Sequence, residues 1–150
     1  MKTRLDRNQL ERLRDEAKRT RSFYRLASFQ VVEHEFRAHV GHLSYAFVRF
    51  ECTPADDLSF EAKASWPSIV PEDYRTKLEL AVAEGVSDVL LGDVYQHSGC
   101  VIVLVEVRYD EIESSEVAFI RAAKSAMQSL VAGKWTITTS PPKTSASGLS

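Results

Sequence analysis

Residues 100–109, CVIVLVEVRY, constrain the fold of this 150-residue chain more than any other segment. The run is crowded with Val and Ile and is far shorter than the roughly 20 apolar residues that span a bilayer. Its near-continuous apolar start marks a central β-strand, covered on at least one face. Such a strand needs hydrogen-bonded neighbours and a helical cover, and both can be found in the sequence.

Residues 43–53, LSYAFVRFECT, alternate cleanly: Tyr45, Phe47 and Arg49 point one way, Ala46, Val48 and Phe50 the other. Aromatic and β-branched residues upstream predict a strand from about Phe29 to Phe36, with Gly41 as the hairpin turn between the two. After the breaker PADD, residues 58–66 read as a third, weaker strand. A helix starts at Pro71, with Glu72 and Asp73 favoring its positive end, and stops near Gly92. Its spacing buries Tyr74, Leu78, Ala81, Val82, Val86, Val89 and Leu90 on one face. Residues 92–99 form a loop, and from Ser114 to Ala132 a second helical stripe holds Phe119, Ala122, Ala123, Ala126 and Leu130. Gly133 stops that helix, and residues 134–140 can pair as a short edge strand. The order β-β-β-α-β-α predicts an α+β fold with helices packed on one face of a four-stranded sheet, preceded by an N-terminal helix.

Three segments follow from composition: a basic helical arm over 1–22, one domain over 23–138, and a disordered tail over 139–150 with nothing to bury. The arm has a thin apolar stripe of Leu5, Leu10, Leu13 and Ala17 among charges, so it must dock on something or fray. Residues 1–25 hold nine Lys/Arg against four Asp/Glu, while the remaining 125 hold ten against seventeen. An acidic body repels phosphate, so a nucleic-acid contact would run through Arg12, Arg14, Lys18, Arg19 and Arg21 of the arm. Alternatively the arm lies on its own acidic body. Two unpatterned cysteines and the lack of a signal-like apolar centre at the N-terminus lead to the expectation of a cytoplasmic protein with no membrane contact.

The stretch EIESSEVAF, residues 111–119, gathers three carboxylates and two serines. Read as a helix entrance, Ser114 is the N-cap and Glu116 faces the positive helix end. Read as chemistry, a general acid/base pair would need a desolvated carboxyl, and nothing nearby announces one. His34, His39 and His42 flank the hairpin turn; strand alternation sends His34 and His39 to opposite faces, which argues for surface histidines over a zinc site. No G-x-S-x-G is present, and His97 near Cys100 falls in a loop, so no catalytic residue, metal or cofactor is expected. Arg37, His39, His42 and Arg49, with Tyr45, could form a small RNA-facing patch or simply the polar side of a hairpin.

Four local words in order, over about residues 29–131, resemble domain IV of elongation factor G, whose fold is that of the second domain of ribosomal protein S5. The family's H-D-V-D-S-S-E-x-A-F falls on DEIESSEVAF, with Ser114, Ser115, Glu116, Ala118 and Phe119 identical. Its P-x-E-Y falls on PEDY (Pro71 to Tyr74), its helical glycine-isoleucine pair on Ala81 and Val82, and its Y-A-x-V on Tyr45, Ala46 and Val48. The resemblance implies two tip loops, at Gly41 and at Tyr109 and Asp110, that in the factor enter the decoding centre. Here the glycine-rich first loop keeps only Gly41, and Asp110 stands where the family has a histidine. No G-x-x-x-x-G-K-[ST] loop is present, so nucleotide binding and GTP hydrolysis are not expected. The implied protein is non-enzymatic, with the ribosome or structured RNA as partner. The competing expectation is a protein-interaction or self-association module, such as a homo-oligomer.

Overall fold

The computed structural model describes residues 22–39 and 43–139, together with position 8. Its elements are β1 (Phe23–Leu26), β2 (Gln30–Ala38), β3 (Ser44–Pro54), β4 (Ser59–Ala62), α1 (Glu72–Leu90), β5 (Cys100–Arg108), α2 (Glu116–Val131) and β6 (Trp135–Thr138). Four strands form one sheet in the order β2-β3-β5-β4, and β1 and β6 form a separate two-stranded ribbon. The fold is α+β, with the two helices packed on one face of the four-stranded sheet.

β5 lies inside that sheet, antiparallel to β3 and parallel to β4, as its apolar run requires. The parallel β4–β5 pair needs a crossover, and α1 supplies it. Ala46, Val48, Phe50 and Cys52 of β3, and Cys100, Ile102 and Leu104 of β5, are fully buried under the helices. A β-bulge then resets the alternation: Arg49 pairs with Glu106 and Phe50 with Leu104, leaving Val105 as the extra residue. Without it Glu106 would point into the core. With it Glu106 and Arg108 join Arg49 on the open face, and Val107 returns to the inside.

α1 and α2 run parallel to each other, because each follows a strand of the parallel pair. The pairing is visible along their length: Leu80 and Ala81 neighbor Glu116 and Ile120, and Asp88 bonds Lys124 at 3.5 Å. Gly85 permits the close crossing, since a Cβ there would lie 2.7 Å from the Ile120 carbonyl oxygen. Both C-termini therefore point to the same end of the molecule.

Two expectations shift, and one strand was not expected. The third strand shrinks to Ser59–Ala62; the Lys63 N–H still bonds the Leu104 carbonyl at 2.9 Å, and residues 64–66 leave the sheet. β6 pairs with β1 rather than extending the main sheet. β1 itself carries no strand alternation: its buried residues, Phe23 and Leu26, are three apart. The arm through Arg21 (apart from position 8), the turn at Gly41 and the tail from residue 140 lie outside the described residues. Among the described residues, no helix is long and apolar enough to cross a membrane.

Candidate functional site

The end of the sheet where β3 begins is built from two segments nearly 70 residues apart. The loop between β5 and α2 folds around Asp110, whose Oδ1 accepts the N–H groups of Ile112 and Glu113, each at 2.9 Å. Ser114 then joins loop to strand. Its hydroxyl accepts the Asp110 N–H at 2.8 Å and donates to the Tyr45 carbonyl at 2.7 Å. The Tyr45 N–H returns a bond to the Glu113 carbonyl at 3.1 Å. Tyr109 packs against the core at the head of this loop.

This geometry corrects the expected cap. Ser114 cannot cap α2 because its hydroxyl is committed to the strand. Ser115, in extended conformation, is the N-cap and accepts the Ala118 N–H at 3.2 Å. Glu116 occupies the first turn as expected. Ser115→Ala should cost about 1 kcal/mol of stability in urea unfolding. A neutral result would mean the cap contributes nothing.

The open face of the sheet carries the candidate cations, and the structure pairs them. The Arg49 guanidinium bonds Glu33 at 3.1 Å and also Glu106. Arg108 bonds Glu106 at 3.2 Å and lies over the Phe47 ring, 4.2 Å from its centroid. Phe47 points to the open face yet is only 3% exposed, because Arg108 and Arg49 roof it. Arg37 bonds Glu35 and sits 4.7 Å over the Tyr45 ring. Its pKa is held above the ordinary value first by that Glu35 bond, with Tyr45 and Glu113 adding to it. The patch expected from Arg37, Arg49 and Tyr45 is thus one surface, but a charge-balanced one. His39 is exposed at the end of β2, and His34 is half-buried on the helix side, so the two do not converge. His42, Gly41 and the arm residues Arg12, Arg14, Lys18, Arg19 and Arg21 lie outside the described residues. Among the described residues, no three His, Cys, Asp or Glu side chains form a group that could hold a metal.

At the opposite end a second cluster escaped sequence reading. His97 is buried, stacked on Tyr24 at 4.6 Å and edge-on to Trp135 at 4.8 Å. Its Nδ1 has no hydrogen-bond partner; the nearest carboxylate oxygen, on Asp93, is 4.0 Å away. Its neighbors come from both strands of the ribbon, so no local pattern could announce them. Burial lowers the His97 pKa, and Asp93 only partly offsets this. The unfolded histidine, near its ordinary value of about 6.5, therefore takes up its proton first as pH falls. His97 should destabilise the fold progressively below about pH 6.5 and not above it. Urea midpoints across about pH 5–8 should fall less steeply on the acid side for His97→Phe. Equal falls would remove His97 as a source.

Cys52 and Cys100 are both fully buried, and burial pushes each thiol up to about 12. The Cys100 thiol donates weakly to the His97 carbonyl at 3.8 Å, not to the ring, so the pair forms no nucleophile–base unit.

No family model and no curated protein matches the chain. The fold is similar to the crystal structure of a protein from Thermus thermophilus, with a TM-score of 0.66 and 20% sequence identity. The match covers 79% of this chain and 18% of that one, so the chain corresponds to a small part of that protein's length. At that identity the likeness is one of fold, and the fold is α+β with two helices on a four-stranded sheet.

Proposed function

We propose that the chain is a non-enzymatic binding module resembling domain IV of elongation factor G, and that it contacts the ribosome or structured RNA. The observation that carries this reading is the Ser114–Tyr45 junction, which holds the start of β3 and the β5–α2 loop at one end of the sheet. Those are the two segments that the family words connect. The cationic contacts would come from the basic arm, because the arginines of the open face already face carboxylates.

Co-sedimentation with ribosomes across a salt series tests the reading. The natural chain is compared with one in which Arg12, Arg14, Lys18, Arg19 and Arg21 are glutamine. Binding should weaken with salt in the natural chain, and the substituted chain should show a shallower slope. No binding at low salt would overturn the reading.

A second reading, a protein-interaction or self-association module, is favored by the sheet end itself. Ile112 is 92% exposed and Leu43 is about half exposed, beside Asp110, Glu111 and Glu113. Apolar side chains ringed by carboxylates suit a protein partner better than a phosphate backbone. A stable dimer in size-exclusion light scattering, lost on Ile112→Glu, would support it.

A further inference from the structure

The outward surface of the helix pair carries apolar side chains and charges that the fold itself leaves unused. Leu78, Val82 and Val86 of α1 belong to the core. At roughly 3.6 residues per turn, Leu80 falls on the opposite side of the helix, where it is 65% exposed. Beside it an open groove of about 380 Å³ runs between the helices, lined by Lys77, Leu80, Ala81, Glu84, Glu116 and Ile120. Val117, one turn from Ile120 on α2, is also exposed, so the apolar surface continues across both helices.

Two charges frame Leu80. Lys77 and Glu84 lie on the same side of α1, about two turns and roughly 10 Å apart along its axis, too far to pair with each other. Both are exposed, and among the described residues neither is held in an ion pair. Arg37, Arg49 and Lys124 differ, since each meets a carboxylate of its own chain. A free lysine and a free glutamate, spaced evenly about the midpoint between Leu80 and Ala81, complement each other under a half-turn about that midpoint.

We propose that this outward face pairs with the same face of a second copy, α1 lying antiparallel on α1 about a two-fold axis between Leu80 and Ala81. The rotation sets Lys77 of each copy opposite Glu84 of the other and brings the two Leu80 side chains together at the axis. The groove over Ala81 leaves room for them to pass side by side, and Ile120 and Val117 close the flank. The patch is thus self-complementary, as an isologous contact requires. A parallel arrangement would oppose Lys77 to Lys77 and Glu84 to Glu84. In the antiparallel one, Asp73 faces Asp88, which Lys124 already holds at 3.5 Å. The helices, of 19 and 16 residues, offer a surface only about 25 Å long, which suits a weak, reversible dimer. The pairing rests neither on RNA binding nor on the sheet end around Ile112.

Sedimentation equilibrium of the full chain tests it. The mass should rise from monomer toward dimer over about 1–1,000 μM. Leu80→Glu should raise the dimer Kd by about tenfold or more. Lys77→Glu and Glu84→Lys should each raise it about tenfold, because two facing pairs become repulsive, and the double substitution should restore it. All three positions are exposed, so circular dichroism of the monomer should be unchanged. A monomer at every concentration would overturn the proposal, and so would a double substitution that fails to restore the dimer. A dimer lost on Ile112→Glu yet kept on Leu80→Glu would place the contact at the sheet end and overturn it as well.

Discussion

Phe119→Ala is expected to lower stability by about 3–5 kcal/mol. Phe119 is fully buried in the first turns of α2, and its ring meets Trp66 edge-on at 5.3 Å. Trp66 in turn donates its indole N–H to Glu79 of α1 at 3.0 Å. Removing the ring opens a cavity between α2 and the segment that leads into α1, and partial collapse cannot fill it because the flanking positions are small alanines. Urea unfolding with an unchanged slope checks the value. A loss under about 1 kcal/mol would mean the core can close over the gap.

Gly99→Ala is expected to be nearly as damaging, at about 2–4 kcal/mol, for a different reason. A Cβ at this position would lie 2.5 Å from the Arg25 Cα and 2.8 Å from its Cβ. The neighbor is main chain, so nothing can rotate away. Gly99 also bonds Tyr24 and Leu26 through its N–H and carbonyl, each at 3.0 Å, and its carbonyl accepts the Ala55 N–H at 3.2 Å. The substitution should detach the β1–β6 ribbon first, exposing Leu26 and His97. Hydrogen exchange should therefore accelerate at residues 23–26 and 135–138 before it does in β5. Uniform acceleration would show that ribbon and sheet unfold as one unit.

The main sheet and both helices were legible because their signals are local. β3 and β5 carry alternating or continuous apolar runs, and α1 and α2 carry helical stripes ending near glycine. β1 was not legible: four residues, with buried positions three apart, take their partners from residues 135–138. The bulge at Val105 was invisible for the same reason, since only the pairing with Arg49 reveals which residue is extra. Of the candidate site, the sequence indicated the surface formed by Arg37, Arg49 and Tyr45. It did not indicate that Glu33, Glu35 and Glu106 would face those arginines. Ser114 and Ser115 are adjacent and chemically identical, and the choice of cap between them was decided by Tyr45, a residue 69 positions away from Ser114.

The sequence by itself determined the strands of the main sheet, both helices, the faces they bury and the segregation of positive charge into the first 25 residues, because hydrophobic period and charge are properties of neighbors in the chain. Only the tertiary structure decided the parallel helix pair, the neutralisation of Arg49 across strands and the burial of His97 between the two strands of the ribbon. Each depends on residues far apart in sequence meeting in space, where a carboxylate across the sheet or a backbone passing over a glycine sets the chemistry.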